Sequence, residues 1–153
     1  MSKIKPRYKL LAVAVAIGAV AAASLADRAF GHKEPHTLEQ LRAFEEIFLE
    51  QVRLGDLLFH GDAATEKKFG VKLSNTGMAC AMCHPFTSDV HPHEFPKFQE
   101  QMNEFATLRD MINWCIEKPN EGEKIDVNSP AMKALEAYIY WSHRNTKLDP
   151  GRH

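Results

Sequence analysis

The sequence predicts an all-α domain, and three observations carry that reading. Three stretches repeat apolar residues at i, i+3, i+4 and i+7, the spacing of one helix face. No stretch alternates apolar and polar residues convincingly enough for a strand. A single Cys-x-x-Cys-His run, Cys80-Ala81-Met82-Cys83-His84, stands between the first helical stretch and the other two, in a chain with only three cysteines. At 153 residues there is room for one domain and a leader, and no internal repeat or low-complexity tract is present.

Residues 1–26 read as the leader. Lys3, Lys5, Arg7 and Lys9 precede an apolar run at 10–23, and Ser24-Leu25-Ala26 gives a small-x-small pattern suited to cleavage after Ala26. That is the pattern of a secretory signal peptide. The rival is an uncleaved membrane anchor, but the apolar run falls short of the roughly 20 residues needed to span a bilayer. Export to the periplasm, or an equivalent extracytoplasmic compartment, is the expectation. Membrane contact follows only if the leader is uncleaved. Removing the leader's four cations from the 19 basic residues leaves 15 against 20 acidic ones, a net charge of about −5. Nucleic acid, whose partners are usually basic, is not indicated. An acidic surface suits steering toward a basic partner protein.

Residues 27–36 form a polar lead-in, and the domain is expected over 37–144. Thr37-Leu38-Glu39-Gln40 has the form of a capping box, followed by Leu38, Leu41, Phe44, Phe48, Val52, Gly55 and Phe59 at helical spacing, which predicts a helix over about 37–60. Residues 61–79, with mixed charge and Gly70, Asn75 and Gly77, read as a loop leading into the cysteine motif. Residues 85–98 read as extended or turning. In the helix predicted over 107–117, Leu108, Met111, Ile112 and Cys115 share one apolar face. Pro119 stops it and Asn120-Glu121-Gly122 turns the chain. Ser129-Pro130 is an N-cap with proline at the first helical position. It opens a last helix over about 129–144 with Met132, Leu135, Tyr138 and Ile139 inward. The polar tail at 145–153 is expected to fray.

Cys-x-x-Cys-His is the attachment signature of haem c. Two thiols three positions apart can each add across one haem vinyl group, and the imidazole that follows is held to the iron as the proximal ligand. Haem is attached to such motifs on the outer side of energy-transducing membranes, so the leader and the motif support each other. One covalently attached haem c is expected, on Cys80 and Cys83, with His84 on the iron. The second axial ligand is open. Met102, Met111 and Met132 are available, although Met111 and Met132 also suit core faces. Cys115, left over in an exported chain, reads as a reactive thiol, an intermolecular bridge, a buried small residue or the distal ligand presented 31 residues after His84.

Other residues have plainer readings. His91-Pro92-His93-Glu94 offers metal-ligand types, with a solvated loop preferred for want of a third histidine or a cysteine nearby. His60 reads as a surface residue, and His143 and His153 carry no assigned role. Arg109 faces either a haem propionate or solvent. Tyr138 and Trp141 read as packing against the first helix.

Gly55-Asp56-Leu57-Leu58-Phe59 resembles the Gly-x-x-Leu-Phe of the first helix in small c-type cytochromes, where the glycine lets the last helix cross closely. Phe95-Pro96-Lys97-Phe98, Leu108 through Ile112-Asn113-Trp114-Cys115, and Ser129-Pro130-Ala131-Met132 through Tyr138 resemble the SoxA and thiosulfate dehydrogenase cytochromes. The resemblance runs from about Gly55 to Trp141, and Ile112-Asn113-x-Cys115 is its most specific part. It implies a cytochrome c-like haem domain with crossing N- and C-terminal helices, and Cys115 as thiolate ligand to the iron beside His84. In size and in its single haem motif the chain is closer to the small His/Cys cytochromes that form heterodimers in anaerobic ammonium-oxidising bacteria. Met111 stands where those enzymes commonly carry arginine, which weakens an enzymatic reading. The expectation is therefore a low-potential electron-transfer cytochrome without catalytic residues, paired with another c-type cytochrome subunit as redox partner. The alternatives are a haem subunit of a thiosulfate-oxidising enzyme with Cys115 as sulfur acceptor, and an NO- or CO-binding haem sensor.

Overall fold

The computed structural model describes residues 35–152. The leader, residues 27–34 of the lead-in and His153 lie outside the described residues. Glu39–His153 is one compact unit, and the fold described is that of this unit. Among the described residues there are five α-helices: α1 (Leu38–Phe59), α2 (Ala63–Phe69), α3 (Cys80–Cys83), α4 (Leu108–Glu117) and α5 (Pro130–Ser142). Two 3₁₀ turns, Pro85–Thr87 and Pro92–Glu94, follow α3. A two-stranded antiparallel hairpin, β1 (Lys97–Gln99) and β2 (Glu104–Ala106), precedes α4. The all-α architecture expected from the sequence is present, with this small hairpin added to it.

The fold is set by the crossing of α1 and α5. Both predicted helices form, and α5 begins as expected, with the Ser129 side chain accepting a hydrogen bond from Met132 N–H and Pro130 in its first turn. At the crossing Gly55 lies against the α5 backbone. A Cβ there would sit 2.6 Å from the Ala134 carbonyl carbon and 2.7 Å from Tyr138 Cβ, closer still to the Ala134 oxygen. Only a residue without a Cβ allows that approach. Around it Leu58, Phe59, Leu135, Tyr138 and Ile139 are buried together with Ile116 and Met132. Each such side chain contributes about 1.5–3 kcal/mol of hydrophobic stabilisation relative to exposure. Tyr138 meets Phe59 with ring centroids 5.3 Å apart, as packing against the first helix requires.

The stripe along α1 is only half used. Val52, Leu54, Gly55, Leu58 and Phe59 are buried, whereas Leu38, Leu41, Phe44, Ile47 and Phe48 are exposed. Periodicity marked one continuous inner face, but among the described residues the elements that cover it reach only the C-terminal half.

Several elements differ from the sequence reading. The stretch expected as a loop at 61–79 contains α2, capped by Asp62, whose carboxylate accepts from the Thr65 N–H (2.8 Å) and hydroxyl (2.7 Å). Gly70 ends it in the left-handed conformation. The hairpin pairs Lys97 with Ala106, Phe98 with Phe105 and Gln99 with Glu104. The tail is tied down rather than frayed: the Asp149 N–H donates to the His93 carbonyl (3.0 Å) and the Gly151 N–H to the Glu94 carbonyl (2.9 Å).

Candidate haem site

The Cys-x-x-Cys-His run folds as a single helical turn. Ala79 enters extended, the His84 N–H closes the turn on the Cys80 carbonyl at 3.0 Å, and His84 leaves the helix with φ −125°. Residues three apart on a helix share a face, so the two cysteines are presented as a pair. Beyond His84 the chain bends sharply, with positive φ at Phe86, Thr87, Asp89 and His91. Four non-glycine residues in the left-handed region within six positions is costly backbone, of the kind that clusters at functional sites. The bend brings Ser88 back, so that its carbonyl oxygen lies 3.3 Å from His84 Nδ1. A carbonyl can only accept, so Nδ1 carries the proton and Nε2 keeps the lone pair. That is the tautomer a metal-ligating histidine needs, oriented by its backbone partner.

Cys80 and His84 line a cavity of about 300 Å³ together with Met111, Ile112 and Cys115 of α4. Phe59, Val90, Phe95, Leu108, Leu135 and Ile139 supply apolar wall, and Lys97, Gln99 and Gln101 supply a polar margin. The structure thus brings Cys80, His84 and Cys115, far apart in sequence, to one cavity. Cys83 is exposed beside it, and none of the three forms a disulfide. Burial pushes the Cys80 thiol up to about 12, with the Cys115 sulfur nearby adding to the shift. Burial pushes Cys115 up to about 11, and Cys83 adds to it. The thiols therefore stay protonated in the polypeptide by itself, and only a cation or a covalent bond at the sulfur offsets that penalty. A cavity at the lower end of cofactor size fits a haem whose edge reaches solvent. The Cys80 thiol, the oriented His84 imidazole and the apolar walls, with Cys83 exposed beside them, suit that group.

Helix α4 is held firmly. Thr107 and Asp110 form a reciprocal capping box. The Asn113 side chain, buried, donates to the Ile125 carbonyl (2.9 Å) and accepts from the Ile125 N–H (3.0 Å). The Asn of Ile-Asn-x-Cys therefore fastens the following loop to the helix that carries Cys115, a role the bare sequence does not reveal. Arg109, expected at a propionate or in solvent, is half-buried and engaged with protein groups. Its guanidinium forms a fork with Glu136 of α5 at 2.7–3.1 Å and reaches the Val127 carbonyl at 3.1 Å. Of the methionine candidates, Met132 is fully buried in the core, while Met111 lines the cavity one turn before Cys115.

The remaining histidines separate. His60 pairs with Asp56 at 2.9 Å and does not line the cavity. His143 Nδ1 donates to the Ile139 carbonyl at 3.0 Å. The 91–94 turn is no solvated loop: Pro92 and Glu94 are buried.

An all-α unit whose crossing helices and Cys-x-x-Cys-His turn enclose one apolar cavity is a c-type cytochrome domain. Residues 64–148 match the family model described as SoxA/TsdA, cytochrome c domain, and the chain belongs to that family. Covalently bound haem c and haem electron transfer come with that membership. The chain is also similar to a thiosulfate dehydrogenase of Psychrobacter arcticus, 30% identical over 50 residues. That alignment takes in 33% of this chain but only 15% of the relative's length. No helix among the described residues is long and apolar enough to cross a membrane.

Proposed function

We infer that this chain is an exported, low-potential electron-transfer cytochrome in which Cys80 and Cys83 bond haem c and His84 and Cys115 ligate its iron. The observation that carries the reading is the convergence of Cys80, His84 and Cys115 on one cavity. When bound, the haem supplies one-electron iron chemistry. The chain's own residues do the tuning. His84 is held in the ligating tautomer by Ser88. Cys115 is offered from a helix held by its capping box and the Asn113 clasp, and as a thiolate it would donate electron density that favours the ferric state and lowers the potential.

The partner is taken to be another c-type cytochrome subunit in a heterodimer, in the periplasm. The mature chain's negative charge supports steering toward a basic protein, and the exposed apolar residues on the first half of α1 support a docking face.

The test is the EPR and visible spectrum of the ferric protein against Cys115→Ala and Met111→Leu. Loss of a low-spin thiolate signature in Cys115→Ala alone, with a raised potential, supports the assignment. An unchanged Cys115→Ala spectrum refutes it, and a change confined to Met111→Leu makes this a His/Met carrier.

The similarity to a thiosulfate dehydrogenase favours one second reading, a subunit of a sulfur-oxidising enzyme with Cys115 also accepting sulfur. Mass spectrometry of the holoprotein separates the two. A sulfur increment on the Cys115 peptide supports the enzyme, and an unmodified peptide counts against it.

A further inference from the structure

We propose that His91, His93 and Glu94 form a second metal site, separate from the haem iron, that takes a divalent ion of the zinc type. One ligand atom from each of the three lies within 4.8 Å of the other two. The backbone explains why. Pro92–Glu94 is a 3₁₀ turn entered by His91 with φ 45°, and the Glu94 N–H closes it on the His91 carbonyl at 3.1 Å. His93 stands beside them with its ring centroid 5.9 Å from that of His91. Zinc–nitrogen bonds of about 2.0–2.1 Å in a tetrahedron set ligand atoms about 3.4 Å apart. The cluster therefore closes on an ion with small side-chain rotations.

An independent observation points the same way. His93 Nδ1 is buried and has no hydrogen-bond partner. A buried polar nitrogen left unpaired calls for an explanation, and a bound ion is one of the standard ones. Glu94 is the one acid of the site, and two cations lie against it. Lys97 Nζ holds Glu94 Oε2 at 2.9 Å, in the position of the outer hydrogen bond that orients a ligating carboxylate. Arg152 approaches Oε1 only to 4.0 Å and is exposed, free to swing away. Two neutral imidazoles and one carboxylate form the His₂Glu set that binds zinc with a position left for water. Copper(II) would compete for the same donors.

The location gives the site a use. His91 also lines the haem cavity, and the carbonyls of His93 and Glu94 receive the C-terminal tail. An ion here would tie the cavity wall to the tail without touching the iron.

The experiment is zinc retention by the haem-loaded full chain after equilibrium dialysis against zinc chloride, with haem iron counting the chains. One zinc per iron is expected, lost in His91→Ala and Glu94→Gln and kept in His60→Ala. His91 is exposed, so its replacement leaves the packing intact and the result readable even if a Glu94 variant misfolds. No retained zinc in the parent protein, or undiminished zinc in His91→Ala, overturns the proposal.

Discussion

Gly55→Ala sets two effects of opposite sign against each other. Alanine is the better helix former by about 1 kcal/mol, so in an exposed helix the change would stabilise. Here the new methyl meets the Ala134 carbonyl group and Tyr138 Cβ, the latter at 2.7 Å. Carbon atoms pack at about 3.5–4.0 Å, so the helices must part by about 1 Å, and gaps of that size forfeit a quarter to a half of each dispersion contact. Overpacking costs about 1–3 kcal/mol when side chains can adjust. The obstacle is backbone, which places this case at the upper end. The net is a loss of about 2 kcal/mol, or about 8 °C in Tm for a domain of this size. Guanidinium and thermal unfolding of the haem-loaded protein, followed by far-ultraviolet circular dichroism, measure it. An unchanged or raised midpoint would refute the claim that backbone contact at the α1–α5 crossing requires glycine.

Asn113→Ala removes two hydrogen bonds and leaves the Ile125 N–H and carbonyl buried without partners. It should cost about 2–4 kcal/mol in the same unfolding assay. Glu136→Gln weakens the half-buried fork with Arg109. About 1 kcal/mol should be lost at low salt and less at high salt, read from paired urea titrations. The Asp62 carboxyl is held below its ordinary range, first by the Thr65 hydroxyl and then by the Thr65 N–H. A depressed carboxylate stabilises the fold above its unfolded pKa and loses that contribution as pH falls through the folded value. The stability gap between the parent protein and Asp62→Asn should therefore be full near neutrality, begin to close as pH falls into the ordinary carboxylate range, and vanish only below the folded pKa.

What the sequence made legible was whatever repeats or uses a committed residue type. Ser129-Pro130 announced the start of α5, the Cys-x-x-Cys-His run announced haem c, and Gly55 marked the helix crossing. The seven residues of α2 are too few to show a face, and three-residue strands are too short to alternate. The tail docks through backbone N–H groups, which leave no signature in side chains. Periodicity also could not separate Met111 from Cys115, since residues four apart on a helix share a face. Nor could it say which part of the stripe on α1 is buried.

The fastening of α4 has a consequence for redox chemistry. Its capping box, the Asn113 clasp on Ile125 and the Arg109 fork to Glu136 fix the helix through its own chain, with no bond to iron among them. The side chain at position 115 is therefore presented by the scaffold and does not have to hold the scaffold together. A thiol, a thioether or an imidazole placed there would arrive at nearly the same spot. With Cys115 on the iron as proposed, such a domain could travel across a wide span of potentials, in evolution or at the bench, by changing one residue.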